Sequence, residues 1–215
     1  MTDLEFEYRG PKRGADRAVL LAHGAGSDMR GVALTSVADA LAAAGIPALT
    51  FNFPYRSAGR RAPDRPPVLE AAARGAAAEL VARSGVAPER IVLGGRSMGG
   101  RICSQVVGAD EDPLRALGLV LLAYPLHPPG RPERLRVEHF PRIHVPSLFV
   151  SGTRDAFATP DELEQQTRQI SGPVQFHWLD TADHGFKPLK ASGHTVAGVL
   201  AEVATTVVEW LRHSF

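Results

Sequence analysis

A serine flanked by glycines is the clearest chemical feature of the sequence. The pentapeptide GRSMG, centred on Ser97, fits the pattern G-x-S-x-G, in which a serine hydroxyl is held in a tight turn. The apolar run at 91–95 before it is typical of a buried strand, and apolar residues recur at helical spacing after it. Strand, turn and helix together would expose the hydroxyl at the end of a sheet, which predicts that Ser97 is a nucleophile. The alternative interpretation is a glycine-rich turn with an incidental serine.

A serine hydroxyl needs a base to take its proton and a carboxylate to orient that base. Asp155 ends the segment SGTRD, and His184 lies in TADHGF, each just after an apolar run. Loops that follow parallel strands meet at one edge of a sheet, so both side chains are expected near the serine. Asp183 and Asp180 are rival carboxylates, but adjacent side chains such as Asp183 and His184 usually point apart. We therefore predict a triad of Ser97, His184 and Asp155.

The other histidines compete with His184 for the role of base. His127 and His139 lie on a proline-rich segment after a strand and are weaker candidates for contact with a substrate. His23 is interpreted as a residue that shapes its loop by hydrogen bonding. The remaining histidines are predicted to be structural or on the surface: His144, His177, His194 and His213.

The sequence HGAG at 23–26 directly follows an apolar run and is suited to bind a negatively charged oxygen. Its glycines leave backbone N–H groups accessible. We predict that the N–H of Met98, the residue after the nucleophile, and the N–H of Ala25 hold the oxyanion, with Gly26 as the alternative to Ala25. The helix that begins after Ser97 adds the positive end of its dipole.

The motifs HGAG, GRSMGG, GTRD and ADHGF, in this order, resemble those of the α/β-hydrolase superfamily over about residues 17–215. The chain order serine, aspartate, histidine is the order of that superfamily. Within it, GRSMGGR and AYPLHPPG resemble small bacterial hydrolase-like proteins related to testis-expressed protein 30 and to a subunit of a histone acetyltransferase complex. The resemblance implies a hydrolase fold. Because some eukaryotic relatives act as complex subunits, it leaves a noncatalytic interaction module as an alternative.

Dienelactone-hydrolase-like enzymes are a second group that the sequence resembles. Their nucleophile is commonly a cysteine, whereas this turn carries Ser97. The only cysteine, Cys103, lies too far along the following helix to replace it. We interpret Cys103 as a packed core thiol.

The elements that must position these residues alternate between short apolar runs and stretches of helical spacing. This alternation predicts an α/β fold, the α/β-hydrolase fold, with a mostly parallel sheet of six to seven strands and helices on both faces. Strands are predicted at 17–23, 46–53, 91–95, 117–124, 145–152 and 174–179, most of them buried on both faces. A seventh candidate at 4–8 alternates apolar and acidic residues, as an edge strand does.

Helices are predicted at 31–44, at 68–83, after Ser97, from Thr159 and from Val196 to the C-terminal region. Thr159, Pro160 and Glu162 form an N-terminal capping signature. The segments 55–67 and 126–141 are predicted to be loops that border the active site. The short span between strands at 124–145 leaves little or no room for a lid.

Composition excludes several classes of function. The 24 Lys+Arg and 23 Asp+Glu residues leave a net charge of +1, without the excess typical of proteins that bind nucleic acid or membrane surfaces. The longest apolar run is about half of the roughly 18 residues that a membrane helix needs. One cysteine and no signal-peptide pattern in the first residues predict a cytoplasmic location. We expect one domain over 1–215; the oligomeric state stays open.

The leading hypothesis is a serine hydrolase that cleaves an ester or thioester of a small-molecule substrate through an acyl-enzyme. No cofactor and no metal are implied. Two interpretations remain open for the arginines near the predicted site: they select an anionic substrate, or they are solvated surface residues. These arginines are Arg56, Arg60, Arg61, Arg65, Arg96 and Arg101.

Overall fold

Seven strands form one sheet in a computed structural model of the protein, which describes residues 4–215. The strands are β1 (Phe6–Arg9), β2 (Ala18–Ala22), β3 (Ala48–Phe51), β4 (Ile91–Arg96), β5 (Gly118–Leu122), β6 (Ser147–Gly152) and β7 (Val174–Leu179). Their order across the sheet is β1-β3-β2-β4-β5-β6-β7, and all neighbours are parallel except β1 and β3. The predicted, mostly parallel sheet is confirmed.

Six α-helices lie between or after the strands of the described chain and cover both faces of the sheet. They are α1 (Val32–Ala43), α2 (Pro54–Ser57), α3 (Pro66–Ser84), α4 (Met98–Val107), α5 (Pro160–Thr167) and α6 (Val196–Ser214). Helices α1 and α6 share one hydrophobic core with one face of the strands, and α3 and α4 share a second core with the other face. Each of these helices buries one apolar stripe against the sheet, as the helical spacing predicts.

Burial of the strands follows their place in the sheet. All residues of β2, β3 and β5 are buried, because these strands have neighbours on both sides and helices on both faces. Strand β7 stands at one edge and is mostly half-exposed, so the prediction of burial on both faces is wrong there. Strand β1 stands at the other edge, as predicted for 4–8.

Prolines begin helices in a segment that is predicted to be a loop. Within 55–67, the turn α2 extends to Ser57 and α3 begins at Pro66, so the prediction is wrong at both ends. Proline at a first helical position loses no hydrogen bond there and has a φ angle suited to a helix. A 3-10 turn, Phe140–Arg142, likewise interrupts the second predicted loop.

The capping signature before α5 forms as predicted. The side chain of Thr159 accepts a hydrogen bond from the backbone N–H of Glu162, whose carboxylate accepts one from the Thr159 N–H at 2.9 Å. Between β5 and β6, the described chain contains only the one 3-10 turn and no lid over the sheet edge. Between residues 4 and 215, no helix combines enough length with enough apolar character to cross a lipid bilayer.

Candidate active site

Ser97 occupies a sharp turn between β4 and α4. Its backbone angles, φ 52° and ψ −119°, lie in a region that L-residues rarely adopt. The turn packs so closely on the end of β2 that a Cβ at Gly95 would lie 2.1 Å, and one at Gly99 2.2 Å, from the carbonyl oxygen of Ala22. Glycine is therefore required at positions 95 and 99, and the turn that carries Ser97 is packed tightly against the end of β2.

The structure brings Ser97, His184 and Asp155 into one hydrogen-bonded chain. The Oγ of Ser97 lies 2.9 Å from Nε2 of His184, and Nδ1 of His184 lies 2.8 Å from Oδ2 of Asp155. Asp155 is 2% exposed, and its other oxygen accepts a hydrogen bond from the N–H of Phe157 at 2.8 Å. Both carboxylate oxygens are therefore bonded, and the side chain has one orientation available.

Asp183, the rival carboxylate, is engaged elsewhere. Its Oδ1 accepts hydrogen bonds from the N–H groups of Gly185 at 2.8 Å and Lys187 at 3.0 Å. These bonds close the turn that carries His184. Asp180 is exposed at the end of β7. Of the three candidate carboxylates, Asp155 is the one that is hydrogen-bonded to the ring of His184.

His23 shapes the loop at 23–26, as predicted. The ring is fully buried, with Nδ1 2.9 Å from the carbonyl oxygen of Gly24, and Nε2 accepts the N–H of Phe53 at 3.1 Å. Burial lowers the pKa of His23, which favours the neutral ring. A neutral ring that accepts at Nε2 donates its Nδ1–H to Gly24, so one tautomer satisfies both bonds.

The loop at 23–26 lies beside the turn of Ser97. A Cβ built on Gly24 would lie 3.4 Å from the Cβ of Ser97. Met98 is the first residue of α4, so its N–H has no carbonyl partner within the helix. Ala25 is exposed at the tip of the loop. The two predicted oxyanion donors are thus on the two segments that flank the serine.

Gly26, the alternative donor, is near a buried hydroxyl. The Tyr55 side chain is fully buried, its hydroxyl has no hydrogen-bond partner among residues 4–215, and burial raises its pKa. Ala25 and Gly26 are both exposed, and both remain candidates for the second oxyanion donor.

Two contacts to His184 were missed by sequence reasoning. The ring of Phe157 stacks on the imidazole, with centroids 4.0 Å apart and planes 25° apart. Nη2 of Arg96 donates to the backbone carbonyl of His184 at 2.7 Å. Arg96 directly precedes Ser97 and Phe157 is two residues after Asp155, but neither spacing indicates a contact with the histidine.

Cys103 is fully buried on α4, as predicted for a core thiol. Burial raises its pKa to about 12. Thiols of such pKa are protonated near neutral pH and are poor nucleophiles. Ser97 is therefore the nucleophile candidate, not the cysteine.

His127 and His139 are each only 5% exposed and are therefore not accessible to a substrate. His127 places Nδ1 2.8 Å from the carbonyl oxygen of Pro128 and Nε2 3.3 Å from Glu162. Nε2 of His139 lies 2.8 Å from the hydroxyl of Ser104. Their predicted role in substrate contact is wrong, since packing of the proline-rich segment turns both rings inward.

His139 is expected to make folding sensitive to acid. Burial, reinforced by the charges of Arg101 and Arg142, lowers its pKa from 6.5 to about 4. Between these values the unfolded chain binds a proton that the folded chain does not, so the free energy of unfolding falls as the pH falls. The full loss is on the order of 3 kcal/mol. Denaturant unfolding measured at several pH values checks this.

The matched variant for that experiment is His139→Gln, which keeps a hydrogen-bonding group towards Ser104 but does not titrate. It is expected to be less stable at neutral pH and to lose less stability between about pH 6.5 and 4 than the parent protein. Parallel pH profiles for the two proteins would contradict the assignment of acid sensitivity to His139.

Comparison with known proteins agrees with this architecture. Residues 15–212 match the family described as alpha/beta hydrolase domain. Similar solved structures include an alpha-beta serine hydrolase homologue from Coxiella burnetii, with 21% identity, a TM-score of 0.74, and coverage of 97% of this chain and 91% of that chain. Dienelactone hydrolase from Anabaena variabilis has 22% identity and a TM-score of 0.72, over 98% of this chain and 91% of that one.

A monoacylglycerol lipase from Paleococcus ferrophilus has the same fold, with 16% identity, a TM-score of 0.74, and coverage of 99% of this chain and 100% of that chain. At such identities these structures establish the fold. The family match spans nearly the whole sheet and includes all the motifs from HGAG to ADHGF. The chain therefore belongs to the alpha/beta hydrolase domain family, as the order of its motifs predicts.

Proposed function

We propose that the protein is a serine hydrolase that cleaves an ester or thioester bond of a small substrate through an acyl-enzyme. The observation that carries this proposal is the chain of hydrogen bonds from Ser97 through His184 to Asp155, at 2.9 and 2.8 Å. A serine is activated when a base can take its proton and a carboxylate orients that base. The family of the chain supports the same reaction class.

In the first half of the reaction, Ser97 Oγ attacks the carbonyl carbon while Nε2 of His184 takes the hydroxyl proton. Asp155 accepts the Nδ1–H, which keeps Nε2 free of a proton in the resting state and stabilises the imidazolium that forms. The N–H groups of Ala25 and Met98 bind the oxyanion of the tetrahedral intermediate. Its collapse expels the alcohol or thiol, which receives the proton from His184.

In the second half, water attacks the acyl-enzyme with His184 again acting as base. The carbonyl oxygen becomes an oxyanion in the same donor pair, and the acid leaves as Ser97 regains its proton from His184. The cycle consumes one water and needs no cofactor. Because no lid covers the described site, we propose small or blunt substrates rather than a long chain enclosed in a tunnel.

The alternative function is a noncatalytic interaction module that keeps the hydrolase fold. It rests on the resemblance of GRSMGGR and AYPLHPPG to proteins with relatives in complexes. The strained Ser97 backbone and the fully bonded carboxylate of Asp155 favour catalysis, since a binding surface needs neither.

A fluorophosphonate probe separates the two functions without knowledge of the substrate. We expect the folded protein to form one covalent adduct, mapped by mass spectrometry to the peptide that contains Ser97, because only an activated serine attacks the probe readily. Heat-denatured protein serves as the control and should remain unlabelled. An unlabelled folded protein would favour the interaction module.

We also propose that the whole chain works as one domain, because all the described helices with hydrophobic stripes pack on one sheet. The single cysteine supports the proposed cytoplasmic location.

A further inference from the structure

A small cavity adjoins the candidate active site on the side of α1 and α6. Its volume is about 210 Å³, below the roughly 300–1,000 Å³ that is typical of pockets for drug-sized ligands. Its lining includes Gly24, which belongs to the loop at 23–26, and Gly185, which directly follows His184. The side walls are apolar and include Val32, Leu34, Val196 and Leu200.

Among the described residues that line this cavity, Arg96 alone carries a charge. It immediately precedes Ser97, and its Nη2 donates to the His184 carbonyl at 2.7 Å. Its Nη1 faces Gly24, where an added Cβ would lie 3.6 Å away. The guanidinium also lies over the ring of Phe186, 5.7 Å from its centroid, and among residues 4–215 no protein group accepts a hydrogen bond from Nε or Nη1. The N–H groups at Nε and Nη1 are therefore available to a ligand that binds beside the serine.

The carboxylates nearest to Arg96 do not neutralise it by direct contact. Asp155 is bonded to His184 and Phe157, and Asp183 closes its own turn. In the part of the chain that the structure describes, no carboxylate lies within 4.0 Å of the Arg96 guanidinium. A bound anion would supply the missing partner, as guanidinium groups commonly do with carboxylates.

The other arginines near the site differ from Arg96 in this respect. Arg56 pairs with Asp28 at 3.5 Å, and Arg60 pairs with Asp64 at 2.6 Å. Arg61 and Arg65 are exposed to solvent. Solvation and ion pairing account for these four. Arg101 donates to Gln105 at 3.0 Å and does not line the cavity, so an anionic preference of the cavity has to come from Arg96.

We propose that this cavity is a subsite for a carboxylate, so that the preferred substrate is a short ester or thioester whose other end carries a carboxylate that binds Arg96. The inference rests on the proposed hydrolase function. The volume and the valine and leucine walls suit a chain of a few methylene groups between the scissile bond and the carboxylate. A larger anion such as a nucleotide does not fit the cavity.

The test compares matched esters that differ in charge alone. For the acyl half, the monomethyl ester of glutaric acid is compared with the methyl ester of its monoamide. For the alcohol half, the acetate ester of glycolic acid is compared with that of glycolamide. We expect kcat/KM to favour the carboxylate by about tenfold or more in one of the two pairs, as charge-assisted hydrogen bonds do. The favoured pair identifies the half of the substrate that enters the cavity.

Arg96→Gln should remove most of this preference. Arg96 also donates a hydrogen bond to the His184 carbonyl, so its replacement is expected to lower activity towards both esters. The readout is therefore the ratio of kcat/KM for the charged ester to that for the neutral ester, because a general loss of activity leaves this ratio unchanged. Arg96→Lys keeps the charge and should keep part of the preference.

A second pair of variants leaves Arg96 untouched. Val196 lines the cavity and Val68 lies on α3, yet both are 44% exposed valines in the first turn of a helix. Val196→Asp should lower the preference about threefold or more and Val196→Lys should raise it, because a nearby charge repels or attracts the carboxylate. Val68→Asp and Val68→Lys should leave it unchanged.

Each outcome distinguishes the inference from the function on which it rests. Turnover of neutral esters with labelling of Ser97, but equal rates within both pairs of esters, would overturn the subsite alone. The subsite would also be overturned if the preference for the charged ester is unchanged in Arg96→Gln and is the same in Val196→Asp and Val196→Lys. Absence of both turnover and labelling would overturn the proposed function and the subsite with it.

Discussion

Replacement of Ser97 by alanine is expected to abolish fluorophosphonate labelling and to lower kcat/KM for short-chain esters by about 10⁴-fold or more. The hydroxyl oxygen is the atom that forms the acyl-enzyme, and no other nucleophile is available at this turn, since the thiol of Cys103 is buried and protonated. The two glycines that the turn requires are unchanged in this variant. Ester hydrolysis and labelling measured on the same purified preparation provide the test.

Folding should be nearly unaffected by Ser97→Ala, because the substitution removes one hydrogen bond and leaves the backbone conformation as it is. A loss of about 1 kcal/mol would shift the melting temperature by only about 2–4 °C. Ser171→Ala, at an exposed serine in the loop before β7, is the matched control and should keep full labelling and activity. Turnover that persists in purified Ser97→Ala would contradict the assignment of the nucleophile.

Asp155→Asn is expected to cost far more activity than Asp183→Asn. Asparagine at 155 can turn an amide donor towards Nδ1 and so favour the tautomer of His184 that cannot accept the serine proton, at an expected loss of about 10²-fold to 10⁴-fold. Asparagine at 183 keeps an oxygen that can accept the N–H groups of Gly185 and Lys187. Its loss of activity should be small.

The two aspartates form a matched pair because both lie in loops after parallel strands at the same edge of the sheet, and each receives the same change of one atom. Steady-state kcat/KM with a neutral ester, together with thermal melting of both variants, separates a loss of catalysis from a loss of folding. If Asp183→Asn is the more impaired of two folded variants, the carboxylate of the triad is Asp183 and the assignment of Asp155 is wrong.

The strands and most helices could be predicted because their signals are local. A run such as 91–95 is apolar on both faces, and residues of α6 recur at helical spacing, so a few neighbouring residues specify each element. The prediction of a loop over 55–67 was wrong at both ends because proline has two opposite effects on helices. It destabilises the interior of a helix but is favourable in the first turn. The composition of the segment does not show which of these positions a proline occupies.

The sequence by itself also determined which three residues are predicted to form the triad. Each predicted triad residue follows a strand, and parallel strands bring their carboxyl ends to one edge whatever the length of chain between them. Ser97 and His184 are 87 residues apart in the chain, and His184 and Asp155 are 29 apart, yet the three loops meet at the edge where β4, β6 and β7 end.

Only the tertiary structure decided where the side chains point within that edge. The bonding of Asp155 rather than Asp183 to the imidazole, the ring of Phe157 against His184 and the free donors of Arg96 all depend on distances between separate loops. The inward turn of the His139 ring depends on packing in the same way. Residue type and spacing specify backbone elements, whereas side-chain direction follows from contacts between distant segments, which form only when the sheet and its helices pack together.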